Sequence, residues 1–290
     1  MKLEEFDINK IMQKNSSRHH YIPKFLIEGF KNTNGLLYVY DKTQNEIKKR
    51  RKPPKSIFFE WDRNTVEVTQ HNESSILEDD LYKKMDDEVK ETVKQFQKEE
   101  LNKIKFTSEN TQYFKCFLIT LLWRIPYSDF AAENLMDQSV IISPGIDPEI
   151  LRADLTYRKL QRVGLIPYTL KETMNSGKKW VNIHQWANDI YVIGDNPILF
   201  RKTPRSFSEF GEMDFLIAIT SRRIYSSTKK KLENFKKANS LLYNAAVIDQ
   251  SSRFICCSNI EVLQESIQLY NKYKNKGIKF MLAEDTFKTE

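Results

Sequence analysis

The chain has 290 residues, 40% of them hydrophobic and 12% aromatic, a composition that can build a packed core and argues against global disorder. Its longest apolar stretch, CFLITLLW at 116–123, is far short of the roughly 20 residues that a membrane-crossing helix needs. Lysine and arginine outnumber aspartate and glutamate 46 to 39, a formal charge of +7 that permits a polyanionic partner without requiring one.

The opening segment MKLEEFDINK has neither the basic nor the apolar region of a secretory signal, so a cytoplasmic protein without membrane association is expected. SRHHYIPKF follows with half of the four histidines, and FLIEGF reads as a short helix or turn ended by Gly29. After the Asn34-Gly35 turn signal, LLYVYD is a strand that pairs through a TQN loop with residues 46–49, and IFFEWD is a third strand. The first quarter thus reads as a small β-rich unit carrying the histidines. Ser75 with Glu78 forms a capping-box pattern, and Leu77, Leu81, Met85, Val89 and Val93 behind it predict an amphipathic helix. A second helix, broadly apolar, runs from Ser108 to Pro126 with Arg124 in its last turn, where a cation complements the helix dipole. DPEILRADLTYRKLQ is a third, with Asp147 as N-cap and Pro148 at its first position. WVNIHQWA and DIYVIG read as two antiparallel strands, DFLIAIT as another, 229–246 as a helix, RFICCS as a strand, and the end as a helix capped by Ser258 with Glu261. The expected architecture is one α+β domain over 18–290 behind an extension at 1–17, β-rich at 18–70, helical at 74–165 and mixed at 178–290.

Several residues carry possible chemistry. His19 and His20 would face opposite ways on a strand, but in a turn or at a helix start both rings can converge on one ligand, as general base or metal ligands. The alternative is a structural turn with one ring bonded to a nearby carbonyl. H-H-x-x-P also resembles the opening of ββα-metal nuclease motifs, yet the Asn and second His that complete them are not clearly placed, and the next histidine is His71. GDNP at 194–197 follows a buried strand, where Asp195 can orient a histidine or bind a cation, although D-N-P is also ordinary turn chemistry. Asn244 lies amid Leu241, Leu242, Ala245 and Ala246 and needs a partner if buried. His71 and His184 read as a loop residue and a polar strand-face residue. Two basic clusters stand out, Lys48, Lys49, Arg50, Arg51, Lys52 and Lys55 in KKRRKPPK, and Lys229, Lys230 and Lys231 with Lys236 and Lys237. They suit either solvent or a nucleic-acid backbone. The three cysteines lack zinc or iron–sulfur spacing, and no Gly-rich phosphate loop, G-x-S-x-G, H-E-x-x-H or cysteine-nucleophile pattern is present.

Taken in order, HHYIPKF, GLLYVYDK, ILEDDLYKKMDDE, LLWRIPYSDF, DIYVIGDNPILF and LLYNAAVIDQSSRFICCS resemble the bacterial DUF4238 family of proteins of unknown function. The positions matching the family pattern are His19, His20, Pro23, Glu78, Arg124, Asp195, Asn196, Pro197 and Asn244. The chain departs from it at Gly194, where a Ser or Thr is common, and at WRIPY, where a Q-x-x-R-T-P-like run is usual. The resemblance implies that distant polar elements share one site: His19 and His20 with Asp195, and with Glu78, Arg124 and Asn244. A histidine base, a carboxylate that orients it or holds Mg²⁺ or Mn²⁺, and an arginine would suit phosphodiester hydrolysis by a nuclease, as in a toxin or defence effector. A noncatalytic binding or scaffold protein with a buried polar network, and a hydrolase or transferase acting on a small molecule or nucleotide, stand beside it. A protein partner is left open.

Overall fold

The computed structural model describes residues 18–69, 72–98, 100, 103–104, 107–129, 132, 149, 153–175, 183–184, 189–202, 209, 212, 214–227, 237–275 and 286. The extension at 1–17, His71, Asp147 with Pro148, and Lys229, Lys230, Lys231 and Lys236 lie outside them, as does the side chain of Lys237.

Strand β1 (Arg18–His20) is followed by α1 (Lys24–Ile27), which tightens into a 3-10 turn at Glu28–Phe30. Gly29 serves a close approach rather than ending a helix: a Cβ there would lie 2.7 Å from the carbonyl oxygen of Ile219. The Gly29 carbonyl also accepts from Ser221 N at 2.9 Å. Strands β2 (Tyr38–Asp41) and β3 (Glu46–Ile47) form the expected hairpin, Tyr40 opposite Ile47.

This hairpin does not build a separate N-terminal unit. Strand β2 pairs along its length with the C-terminal strand β12 (Phe254–Cys257), whose other edge takes β8 (Ile193–Gly194), giving the order β3-β2-β12-β8. Segments about two hundred residues apart therefore share one sheet, as in a single α+β domain. IFFEWD supplies β4 (Phe59–Trp61), which pairs antiparallel with β1 in a two-stranded ribbon. A second ribbon joins β5 (Val66–Thr69) to β6 (Asn72–Ser74), and a second four-stranded sheet orders β7 (Ile183–His184), β11 (Arg223–Ser226), β10 (Phe215–Thr220) and β9 (Leu199–Phe200). Among the described residues, WVNIHQWA and DIYVIG thus contribute to different sheets, β7 pairing with β11 and β8 with β12. Ahead of β8, the Tyr191 and Val192 amides are taken by Ser221 O and the Asn244 side chain instead of by a strand.

A wide π-helical turn at Leu77–Tyr82 leads into α2 (Lys83–Lys98). Helix α3 (Ser108–Arg124) is capped by Thr107, whose hydroxyl accepts from Asn110 N, and it is buried almost continuously from Phe114 to Arg124. It packs between α2 and α4 (Leu155–Asn175) as the central helix. Among the described residues α4 begins behind Asp154, which accepts from Tyr157 N. The last helices are α5 (Lys237–Gln250) and α6 (Ile260–Asn275). Asn259 rather than Ser258 caps α6, accepting from Val262 N. Cys256 and Cys257 are both fully buried. No helix of the described residues is long and apolar enough to cross a membrane.

Gly29→Ala tests the close approach. The nearest neighbour is backbone, which cannot swing aside, so we expect a loss of about 1–3 kcal/mol in denaturant unfolding. An unchanged midpoint would show that the 219–221 segment shifts freely.

Candidate functional site

The histidine pair sits on a strand, so its two rings diverge and do not converge on one ligand. In β1 His19 stands opposite Glu60, and His20 opposite Phe59. The inward ring, His19, is fully buried, and its Nδ1 accepts from the Asn64 amide at 2.9 Å. The unprotonated nitrogen is thereby Nδ1. His20 lies on the other face beside Phe59, 5.7 Å between ring centres, and its Nε2 donates to the Lys55 carbonyl at 3.2 Å. A carbonyl can only accept, so Nδ1 is the basic nitrogen of His20. Burial, then the Lys24 charge, push the His20 pKa down to about 4, with Arg18 and Arg124 acting the same way and the Lys55 carbonyl opposing.

On the inward side the chain turns sharply after β4. Asp62 adopts a left-handed φ of 53°, which an Asp tolerates, and Arg63 and Asn64 are driven inward. Asn64 is a junction: its backbone N–H serves His19, its Nδ2 donates to Glu78 at 2.8 Å, and its Oδ1 accepts from Arg162 at 2.9 Å. The other Glu78 oxygen accepts from Arg124 at 3.2 Å, and Arg124 also donates to Asp86 at 2.9 Å. Three of the expected residues, His19, Glu78 and Arg124, therefore do belong to one connected network.

Their local roles differ from those expected. Glu78 does not close a capping box; its carboxylate points into the network, while the Ser75 hydroxyl bonds to Asp79. Glu78, Tyr82 and Asp86 recur at four-residue spacing through the π-helical turn and meet Arg124, whose guanidinium lies 4.8 Å from the Tyr82 ring centre. Burial works against the Arg124 charge, and Asp86 and Glu78 more than offset it, so its pKa is raised. The Asp86 carboxyl is itself pushed up, burial outweighing Arg124. Arg124 is thus a buried paired charge rather than a dipole complement.

Asp195 and Asn244 do other work. The Asp195 carboxylate accepts from the amides of Ser252, Arg253 and Phe254 at 2.8, 2.6 and 3.1 Å, pinning the entry to β12. Asn244 accepts from Val192 N and donates to Ile190 O, standing in for a missing strand. Both are architectural, and Asp195 is spent on backbone rather than on a histidine. Among the described residues no group of three or more His, Cys, Asp or Glu is placed to hold a metal ion. In the basic loop Lys49, Arg50, Arg51, Lys52 and Lys55 are exposed, whereas Lys48 is half-buried and bonded to Glu46 and Asp41.

Sequence reasoning missed Arg63, Asn64, Asp129 and Arg162. Arg63 donates to the Arg124 carbonyl and to Glu60, and shares Asp129 with Arg162. One signal was present: Arg162 precedes Ile166, Thr169 and Thr173 on the buried stripe of α4, where an arginine needs a partner. Arg63, Asp129 and Arg162 line a cavity of about 310 Å³ whose wall also includes Trp61, Leu155, Arg158 and Lys159.

Two outcomes are expected. Asp195→Ala removes the acceptor of three part-buried backbone amides and should cost about 3 kcal/mol in urea unfolding; a loss below about 1 kcal/mol would show that water replaces the carboxylate. For His20 the unfolded chain takes up its proton near the ordinary histidine value of 6.5 and the folded one only near 4, so the unfolded state binds more protons between them and stability falls as pH drops through that window. His20→Gln should remove this component, and the melting-temperature gap between parent and variant should shift in the variant's favour from pH 6.5 to 4. A gap independent of pH would contradict the assignment.

No curated protein and no solved structure matches this chain. The family of proteins of unknown function DUF4238 matches residues 18–259, most of the chain and all of the network just described. With His19, Glu78, Arg124, Asp195 and Asn244 all inside that span, the chain belongs to the DUF4238 family.

Proposed function

We propose that the protein binds single-stranded nucleic acid along the outward face of β1 and β4 and hydrolyses its phosphodiester bonds, with His20 as general base. One observation carries the reading: that face places Arg18, His20, Phe59 and Trp61 side by side, next to Lys55. The Arg18 guanidinium lies 3.7 Å from the Phe59 ring centre, Phe59 and Trp61 are 5.9 Å apart, and Arg18 donates to the Lys55 carbonyl. Trp61 is 67% exposed. An exposed indole in a row with cations suits sequence-tolerant stacking of bases, and the exposed residues of the 48–55 loop suit the phosphate backbone.

His20 supports the hydrolytic step. Its ring is oriented by Lys55, and its depressed pKa leaves Nδ1 unprotonated at neutral pH. Water would give its proton to Nδ1 as its oxygen bonds to phosphorus, the ester oxygen would leave, and Arg18 would offset the developing charge. The same reading keeps the protein in the cytoplasm, where its three free thiols are at home, as a toxin or defence effector.

The test is incubation of parent, His20→Gln and Trp61→Ala with single-stranded RNA, single-stranded DNA and duplex DNA, with Mg²⁺, Mn²⁺ or EDTA. We expect parent cleavage of single strands, loss of about 10²-fold or more in His20→Gln, and binding weakened about tenfold in Trp61→Ala, with affinity falling as salt rises. Salt-sensitive binding without cleavage in any arm would leave a noncatalytic binding protein. No binding at all would remove the nucleic-acid reading.

A further inference from the structure

The 310 Å³ cavity opens beside Trp61, at the end of the row formed by Arg18 and Phe59. Its inner side is Arg63 and Arg162, both nearly fully buried and both held by Asp129. Trp61 and Leu155 flank it, 67% and 68% exposed. Such a volume matches a small-ligand site rather than the path of a continuous strand.

Its electrostatics favour an anion. Four cations and three acidic side chains line it, one positive charge by formal count, since Arg63, Arg158, Lys159 and Arg162 face Glu60, Asp62 and Asp129. The acidic groups are not equally available to oppose a ligand. Both Asp129 oxygens accept from the two inner guanidiniums, and one Glu60 oxygen accepts from Arg63. Lys159, in contrast, donates to two neutral carbonyls, Asp62 O at 2.9 Å and Thr65 O at 2.6 Å, so contact does not cancel its charge. Burial, then Arg162, hold the Lys159 pKa below the ordinary lysine range, against the opposing pull of Asp62 and Glu73. The buried Arg162 Nε also has no acceptor.

We infer that this cavity takes a nucleoside phosphomonoester, its base against Trp61 and its phosphate against Arg158, Lys159 and Arg162. The inference deepens the nucleic-acid reading and rests on it for the identity of the ligand's base. It names the substrate as a strand with a phosphorylated end, because a cavity closed by two buried arginines accommodates a terminal nucleotide and not one in mid-chain. A free mononucleotide carries the same chemistry, and the test separates the two sources.

Calorimetric titration of the full chain would compare AMP with adenosine, and 5′-phosphorylated and 3′-phosphorylated oligoadenylates with one ending in hydroxyls. The variants are Trp61→Ala and Arg158→Gln, both at exposed side chains, with melting temperature as the folding control. We expect AMP to bind about tenfold or more tighter than adenosine, and Trp61→Ala to weaken AMP about tenfold. Arg158→Gln should shrink the preference for AMP over adenosine. A phosphorylated oligonucleotide bound more tightly than the hydroxyl-ended one assigns the ligand to a strand end, whereas AMP binding with no such preference assigns it to a free nucleotide. AMP and adenosine binding alike, AMP failing to bind, or AMP binding indifferent to both substitutions would overturn the cavity assignment. Hydroxyl-ended oligonucleotides that still bind would leave the outward-face reading standing without it; AMP binding in a protein that binds no oligonucleotide would do the reverse.

Discussion

Asn64 makes the contact on which the rest of the site depends. Through one backbone N–H and one side-chain amide it joins β1 at His19, the π-helical turn at Glu78 and α4 at Arg162, and through Glu78 it reaches Arg124 at the end of α3. An amide suits that position because it donates and accepts at once; a carboxylate could not serve Glu78, and an ammonium could not serve Arg162. The guanidiniums of Arg63, Arg124 and Arg162 are largely out of water, where much of their partners' attraction is spent against desolvation. The network therefore adds orientation more than stability. Glu78 is divided between Asn64 and Arg124, and Asp129 between Arg63 and Arg162, and such divided acceptors permit few alternative arrangements of the elements that carry them.

What the sequence showed, and what it hid, follows from the range of each interaction. The central helix, the α2 periodicity, the β2-β3 hairpin and the strand RFICCS are local patterns, and they stand where expected. The sheet β3-β2-β12-β8 joins segments about two hundred residues apart, and nothing in LLYVYD announces RFICCS as its neighbour. Local rules failed most instructively where a tertiary partner claimed the side chain. Ser75 and Glu78 satisfy the capping-box pattern, yet a buried guanidinium and amide compete for Glu78 and win. Arg124 satisfies the helix-dipole rule, yet its partners are Asp86 and Glu78 from another helix. His19, Glu78 and Arg124 were legible as members of one site only because the family pattern names them together. Asn64, in an ordinary-looking WDRN turn, was not.

The departure at Gly194 has a local explanation. A Cβ at 194 would fall on the Ser251 hydroxyl, which donates to Val247 O at the end of α5. A hydroxyl thus occupies this point of the sheet, delivered from the connection before β12 rather than from the residue before Asp195. Asp195 then pins that same connection through three amides, so Gly194, Asp195 and Ser251 act as one joint between β8 and β12. The D-N-P element is architectural here.

The two sides of β1 consequently have separate tasks. A ribbon of two three-residue strands is too short to hold itself together in water. It is held by its inner side, where His19 is bonded to Asn64 and Glu60 to Arg63. Because Arg63, Arg124 and Arg162 are already matched by Glu60, Asp129, Glu78 and Asp86, they contribute little field to the outward face. Positive potential there must come from the half-buried Arg18 and from Lys24, Lys55 and the exposed residues of the 48–55 loop, which answer to ionic strength. The buried charges position the aromatic and basic row without competing for its ligand, and at the cavity, where Arg162 belongs to both sets, the two tasks meet.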